Sequence, residues 1–122
     1  MSEKLVHDAT KTITPIFYQC YIALEKCFDL MENESVYIET YGDVTVVSEN
    51  ESSQTEVKNY EKDLTDLDHN IWKTLKNWLN DPNIPSYKNL ILLTTQDLGS
   101  TTAFKEWNSK NKNNKLSILK DI

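Results

Sequence analysis

Arginine is absent from this chain of 122 residues, in which all 13 basic residues are lysines. Arginine is the side chain best suited to grip phosphates and guanine edges through two parallel hydrogen bonds. The formal net charge of −6 adds electrostatic repulsion toward nucleic acid. The composition therefore argues against a stand-alone, high-affinity DNA-binding protein, unless a metal ion or a partner protein offsets the acids.

The charge is unevenly spread along the chain. Residues 105–122 carry five lysines against two acids, for a net of +3, and residues 1–104 carry −9. Some lysines of the C-terminal segment are candidate phosphate contacts, and a solvated charged tail is the alternative interpretation. These lysines are Lys105, Lys110, Lys112 and Lys115.

Cysteine, glycine and proline are also scarce. Two glycines and three prolines leave little material for long flexible linkers. The only cysteines, Cys20 and Cys27, are seven residues apart on a predicted helix. Their separation of roughly 10 Å exceeds what a disulfide can bridge, so we interpret both as small apolar core residues. With only two histidines, a structural zinc site is not expected.

Long apolar runs are missing as well, which argues against a membrane span. Residues 1–11 are polar and of mixed charge, without the apolar stretch of a signal peptide. We therefore predict a cytoplasmic protein with no membrane contact. The length and the 39% apolar content predict one domain over residues 1–122, with a core at about 14–109 and a Lys/Asn-rich tail at 110–122.

Two segments have the periodicity of helices. Thr14 followed by Pro15 is a typical helix start, and Asn33 is the predicted end. Thr65 and Asp68 resemble a capping box in a second helix over 63–80. Apolar residues recur at helical spacing along the first helix, which predicts that they face the core: Ile13, Phe17, Cys20, Leu24, Cys27, Phe28 and Met31. The predicted buried stripe of the second helix is Leu64, Leu67, Ile71, Leu75 and Trp78.

Four segments are predicted strands, at 35–41, 43–47, 54–60 and 90–94. The last is a continuous apolar run, typical of a central strand that is covered on both faces. A loop at 96–100 leads to a short predicted helix at 102–108. The resulting order α-β-β-β-α-β-α predicts an α/β fold with a mixed central sheet flanked by helices.

Three residues of the second and third predicted strands form a chemically suggestive set. Asp43 opens the second strand, and Glu56 and Lys58 share one face of the third. If these strands are paired neighbours, the three side chains can converge at one end of the sheet. Two close carboxylates are most easily reconciled by a hard divalent cation such as Mg²⁺ or Mn²⁺, with the backbone carbonyl of Val57 as a further ligand.

Such a set fits metal-assisted hydrolysis of a phosphodiester. Lys58 would orient or deprotonate the attacking water, or stabilise charge on the phosphorane. No Ser-His or Cys-His pairing for acyl transfer is evident, and glycoside hydrolysis would not need the lysine. The alternative is an ordinary solvated strand face, because D…ExK matches arise by chance in an acidic chain.

Two further residues are candidates for the same site. Glu39 shares a predicted strand face with Tyr37 and Tyr41, and is either an additional metal-site acid or a rim residue. Gln19, on the first helix, either reaches the site as an accessory residue or makes a hydrogen bond on the helix surface. The three tryptophans are interpreted as core or interface residues rather than as platforms for base stacking.

Several short motifs follow one another in a recognisable order. They are Phe17-Tyr18-Gln19, Glu39 with Gly42-Asp43-Val44, Glu56-Val57-Lys58, Trp72 with Leu75 and Trp78, and the apolar run at 90–95. This order resembles the PD-(D/E)xK nuclease superfamily, which has an acid at the start of the second core strand and E-x-K on the third. It is most similar to the double-stranded DNA nuclease domains of bacterial anti-phage systems, such as the CD-NTase-associated endonuclease of CBASS. Gly42 stands where that superfamily usually has proline.

The resemblance covers about residues 14–109. It implies a restriction-endonuclease-like α-β-β-β-α-β core and an Mg²⁺-dependent DNA endonuclease module of antiviral defence, with Asp43 and Glu56 as metal ligands. It also implies double-stranded DNA as substrate and a protein partner or homo-oligomer.

Two other classes of function stay open from the sequence. One is a catalytically inactive nuclease-fold subunit that serves as an interaction scaffold, which the acidic body without arginine favours if no partner supplies basic surface. The other is an acidic inhibitor that mimics nucleic acid. The inhibitor predicts acids spread over one exposed face rather than gathered around Lys58.

Overall fold

The computed structural model describes residues 10–40 and 42–122, and side chains from Ile13 onward. The helices are α1 (Thr10–Cys27), α2 (His69–Asn80) and α3 (Lys112–Asp121). The strands are β1 (Ser35–Ile38), β2 (Val44–Val47), β3 (Ser53–Lys58) and β4 (Asn89–Thr94). Short 3₁₀ helices occupy Ile84–Ser86 and Trp107–Ser109. The expectations for residues 1–9 and Tyr41 lie outside the described residues.

The four strands form one mixed sheet in the order β1-β2-β3-β4. β2 pairs antiparallel with β1 and with β3, and β3 pairs in parallel with β4. A parallel pair needs a crossover connection, and α2 lies within it. The predicted α/β class with a mixed sheet is confirmed, and the element order is compatible with the α-β-β-β-α-β layout.

β4 lies at an edge of the described sheet, not at its centre. Leu90 and Ile91 are 36% and 37% exposed and border an open groove of about 930 Å³. The prediction of a strand covered on both faces is therefore wrong for its first half. In its second half, Leu92 packs against one apolar cluster and Leu93 against another.

Two apolar clusters lie on opposite faces of the sheet, because successive residues of β4 point to opposite sides. Leu93 packs on one face with Ile22, Ala23, Val44 and Val57. Leu92 packs on the other face with Leu64, Ile71 and Phe104, joined by Trp72, Leu75, Trp107 and Leu119. α1 therefore covers one face, and α2 and α3 contribute to the other.

α1 differs from its prediction in both position and orientation. It begins at Thr10 and ends at Cys27, so that Pro15 lies within it. Its sheet-facing side carries Tyr18, Ile22 and Ala23, whereas the predicted core stripe faces outward. Both cysteines are exposed, so their interpretation as core residues is wrong. The helix has two apolar sides, and the side with the small Ala23 is the one that packs on the strands.

α2 begins later than predicted. Asp68 is its N-cap, since Asp68 Oδ1 accepts a hydrogen bond from the backbone N–H of Asn70 at 2.8 Å. The residues before it are turns, in which Leu64 forms a bridge with Leu98. Leu67 lies in this irregular stretch and is 79% exposed, so its predicted burial is wrong.

The predicted C-terminal tail forms a helix, although most of its side chains are exposed. Asn111 caps α3 by accepting the backbone N–H of Asn114 at 2.8 Å. Leu119 packs against the second apolar cluster. The predicted helix at 102–108 consists of turns, with the 3₁₀ helix at its end. Within the described ranges, no helix combines the length and apolarity needed to cross a membrane.

Candidate functional site

The strand register places three acidic residues at one level of the sheet. Val44 of β2 pairs with Ile38 of β1 and with Thr55 of β3. One residue further along each pairing, Asp43 lies opposite Glu39 on one side and opposite Glu56 on the other. The backbone N–H of Glu39 donates to the Asp43 carbonyl at 3.0 Å, which extends the first pairing by that step. Like charges on opposed residues destabilise a sheet, so the arrangement does not serve strand pairing.

Asp43 is held against the backbone of β3. Its Oδ2 accepts a hydrogen bond from the backbone N–H of Val57 at 2.8 Å. Val57 points its side chain into the cluster under α1, which leaves Glu56 and Lys58 on the other face of the strand. β2 and β3 are therefore paired neighbours, which is the condition for Asp43 to meet Glu56 and Lys58. Asp43 lies beside the segment that contains both residues. The catalytic role of the three residues stays a prediction.

Glu56 has a strongly raised pKa. Burial, followed by the charge of Asp43, raises the pKa of Glu56 to about 7. A hydrogen bond with Asp43 and the charge of Glu39 contribute to this rise in the pKa, and the charge of Lys58 opposes it. Lys58 Nζ lies 3.7 Å from Glu56 Oε2, and both side chains are largely buried. Near neutral pH a proton on Glu56 therefore reduces the negative charge of the neighbouring carboxylates, and a bound metal cation would neutralise that charge in its place.

The loop between β1 and β2 depends on left-handed backbone. Glu39 has a φ of 57° and Gly42 a φ of 126°. A side chain at Gly42 would be strained, and its Cβ would clash with the side-chain amide of Gln54. Proline, with its φ fixed near −65°, cannot adopt this conformation. Glycine is therefore the residue that this loop requires at position 42.

The donor atoms fit a divalent cation in kind, although they are few. Asp43 and Glu56 present carboxylate oxygens, which hard cations prefer. Residues 10–40 and 42–122 hold no group of three or more His, Cys, Asp or Glu side chains placed to bind a metal ion. Mg²⁺ keeps several waters and often binds through one or two carboxylates, so the set suits it better than Ca²⁺ or Zn²⁺. A Mg²⁺ or Mn²⁺ cofactor stays a prediction.

The two accessory candidates differ in their relation to the acid pair. Glu39 lies in reach of Glu56, since its charge contributes to the raised pKa of Glu56. Gln19 is half-buried on α1, and its Oε1 has no hydrogen-bond partner among the described residues. The described contacts thus bring Glu39, but not Gln19, to Asp43 and Glu56.

A polar network next to Lys58 was missed in the sequence. Thr94 pairs with Lys58 across β3 and β4, and its Oγ1 donates to Gln96 Oε1 at 2.9 Å. Gln96 Nε2 in turn donates to the Lys62 carbonyl and to Asp68 Oδ2, at 2.9 and 3.1 Å. This network joins the end of β4 to the start of α2. The sequence signal for it is Gln96, a polar residue just past the end of the apolar strand β4, where α/β folds often place functional side chains.

Comparisons with protein-family models, with curated proteins and with solved structures give no match for this chain. The interpretation of the site therefore depends on its geometry and on the order of its sequence motifs.

Proposed function

We propose that this protein is a metal-dependent DNA endonuclease module that acts in the cytoplasm as part of bacterial antiviral defence. The observation that carries the proposal is the hydrogen-bonded pair of Asp43 and Glu56 beside Lys58, with a Glu56 pKa of about 7. Two neighbouring carboxylates and a lysine suit phosphodiester hydrolysis. The order of the sequence motifs, which resembles that of anti-phage nuclease domains, supports the proposal of double-stranded DNA as the substrate.

Asp43, Glu56 and the Val57 carbonyl would hold Mg²⁺ or Mn²⁺. When bound, the cation supplies positive charge that polarises the phosphodiester and acidifies a water molecule. Lys58 orients the attacking water or stabilises the charge that builds up on the phosphoryl oxygens. The water oxygen bonds to phosphorus, the bond from phosphorus to one sugar oxygen breaks, and that sugar oxygen takes up a proton in exchange for the one that the water loses.

The test is cleavage of plasmid DNA with and without Mg²⁺ or Mn²⁺. Asp43→Asn keeps an oxygen that can accept the Val57 N–H, so it alters the charge while sparing the fold. Lys58→Met removes the positive charge of the lysine side chain and keeps a side chain of similar length. We expect each variant to cut at least about 100-fold more slowly than the wild type, as is usual when one group that stabilises the transition state is lost.

The exposed ion pair between Lys88 and Glu51 supplies matched controls. It joins the same residue types, with 2.8 Å between Lys88 Nζ and Glu51 Oε1, and it lies away from the site. Lys88→Met and Glu51→Gln should cut DNA as fast as the wild type. Cutting that survives both Asp43→Asn and Lys58→Met would overturn the site assignment.

A second candidate function is that of an inactive nuclease-fold scaffold. The exposed apolar side of α1 favours it, since large exposed apolar patches mark interaction surfaces. Failure of the wild type to cut DNA with either metal, alone or with a purified partner, would support the scaffold. A mimic of nucleic acid is less consistent with the structure, because Asp43 and Glu56 lie together beside Lys58.

A further inference from the structure

The outward side of α1 and the turn after it form an apolar stripe that the fold leaves uncovered. Its large side chains are each between 43% and 83% exposed. They are Ile13, Phe17, Tyr21, Leu24, Phe28 and Met31, and we call them the outer stripe. A contiguous set of this size on a soluble domain marks a surface for association.

The spacing of the stripe is that of a helix-to-helix contact. Ile13, Phe17 and Leu24 of the stripe alternate with the exposed Cys20 and Cys27 on the same side of α1. These five residues follow one another at intervals of four, three, four and three. This alternation is the a/d pattern by which two helices pack side by side. Contact with the protein's own sheet does not require it, because the opposite side of α1 makes that contact through Ile22 and Ala23. The surface therefore suits another helix of similar length.

The charges along this segment show which helix is complementary. Residues 10–22 contain a single charged residue, Lys11. Residues 23–34 contain four acids and one base, for a net of −3: Glu25, Lys26, Asp29, Glu32 and Glu34. In an antiparallel pair, the N-terminal half of each copy would lie beside the acidic half of its partner. The positive end of each helix dipole would then lie beside the negative end of the other, which is favourable. A parallel copy would bring both acidic halves together.

We propose that α1 is a homodimer interface, in which the outer stripes of two copies of this chain pack as antiparallel helices. The contact is self-complementary, as a two-fold axis requires. α1 has 18 residues and a length of about 27 Å. Such a contact is at the small end of stable interfaces, so the dimer forms reversibly and depends on protein concentration. The inference does not depend on the proposed nuclease activity.

The test is the mass of the full chain in solution, measured by analytical ultracentrifugation from about 1 to 100 μM, the range in which a contact of this size titrates. We expect a monomer–dimer equilibrium. Phe17→Glu and Leu24→Glu should each weaken the dimer at least about tenfold, because each buries a charge between apolar side chains. Leu79→Glu is the matched control, since Leu79 is 87% exposed on α2, away from the stripe. It should leave the equilibrium unchanged.

Orientation has its own readout. The antiparallel dimer should weaken as salt screens the attraction between opposite halves, whereas a parallel dimer would strengthen. Far-UV circular dichroism checks that each variant is folded, and Leu24→Ala provides a milder change at the same position. A monomer at every concentration would overturn the proposal. So would a dimer that Leu79→Glu weakens as much as Leu24→Glu, or one that oxidation cross-links through Cys27 to the partner's Cys27, because only a parallel pair brings these two residues together.

Discussion

At the scale of single residues, Glu56 links the charge of the candidate site to the stability of the fold. Its pKa rises from 4.5 to about 7 on folding, because burial and the charge of Asp43 favour the protonated form. Below pH 4.5 the group is protonated in both the folded and the unfolded chain. Between pH 4.5 and 7 the unfolded chain loses the proton while the folded chain keeps it, so the contribution of Glu56 to stability is lost as pH rises.

We predict that wild-type protein loses up to about 3 kcal/mol of unfolding free energy across this window relative to Glu56→Gln, which cannot titrate. Urea denaturation at a series of pH values measures the difference. Glu51→Gln is the control. Lys88 lowers the pKa of the exposed Glu51, so this group titrates below the window, and Glu51→Gln should keep the loss of stability between pH 4.5 and 7. Equal pH profiles for wild type and Glu56→Gln would contradict the assignment of the raised pKa.

Much of the site was predictable at this scale. Strand alternation alone put Glu56 and Lys58 on one face and Val57 on the other. The burial that raises the pKa of Glu56 was not predictable, because it arises from elements distant in sequence. Nor could the φ of Gly42 be predicted, since glycine permits many conformations and the fold selects one.

At the scale of elements, α1 shows the limit of periodicity as a signal. Its outward stripe has a regular helical spacing, and this spacing predicts that the stripe faces the core. A helix with apolar residues on two sides gives no local indication of which side meets the sheet. That choice depends on the fit of Ala23 and Ile22 against Val44 and Val57, which only the assembled sheet defines.

The start of α2 depends on one side chain with two functions. Asp68 Oδ1 caps the helix through the N–H of Asn70, and Asp68 Oδ2 accepts a hydrogen bond from the buried Gln96. We predict that Asp68→Ala lowers the free energy of unfolding by about 2 kcal/mol, with about half from the cap and half from the hydrogen bond.

Chemical denaturation measures the effect of Asp68→Ala, with Asp63→Ala as its control, because Asp63 is an exposed aspartate nearby. A loss no greater than that of Asp63→Ala would show that neither contact contributes to stability.

At the scale of the whole molecule, the order of elements from α1 to β4 follows from the sequence, but the packing of the ends does not. The Lys/Asn-rich segment has the composition of a tail, yet it forms α3 because Asn111 caps it and Leu119 finds a place in the second cluster. The apolar run of β4 indicated a central strand, although its neighbours in the sheet could not be inferred from its own composition.

The basic C-terminal segment should carry the sequence-independent part of DNA binding if the protein is a nuclease. Lys112 and Lys120 are exposed at the two ends of α3. We predict that replacing both with Gln lowers the slope of log affinity against log salt by about 2, since each phosphate contact contributes about 0.9.

Fluorescence anisotropy with a DNA duplex, in Ca²⁺ to prevent cutting, measures this slope. The matched control is the double replacement of Lys73 and Lys76, which are exposed on α2. An unchanged slope after the α3 replacements would place the DNA elsewhere on the protein.

The distribution of the tryptophans over the two faces has a consequence for spectroscopy. Trp72 and Trp107 pack on the second cluster, and Trp78 borders the groove beside it. The cluster under α1 has Tyr18 as its aromatic residue. Intrinsic tryptophan emission therefore monitors only the α2 and α3 side, while the helical ellipticity includes α1. Melting curves recorded by the two optical signals will coincide only if both faces of the sheet unfold together.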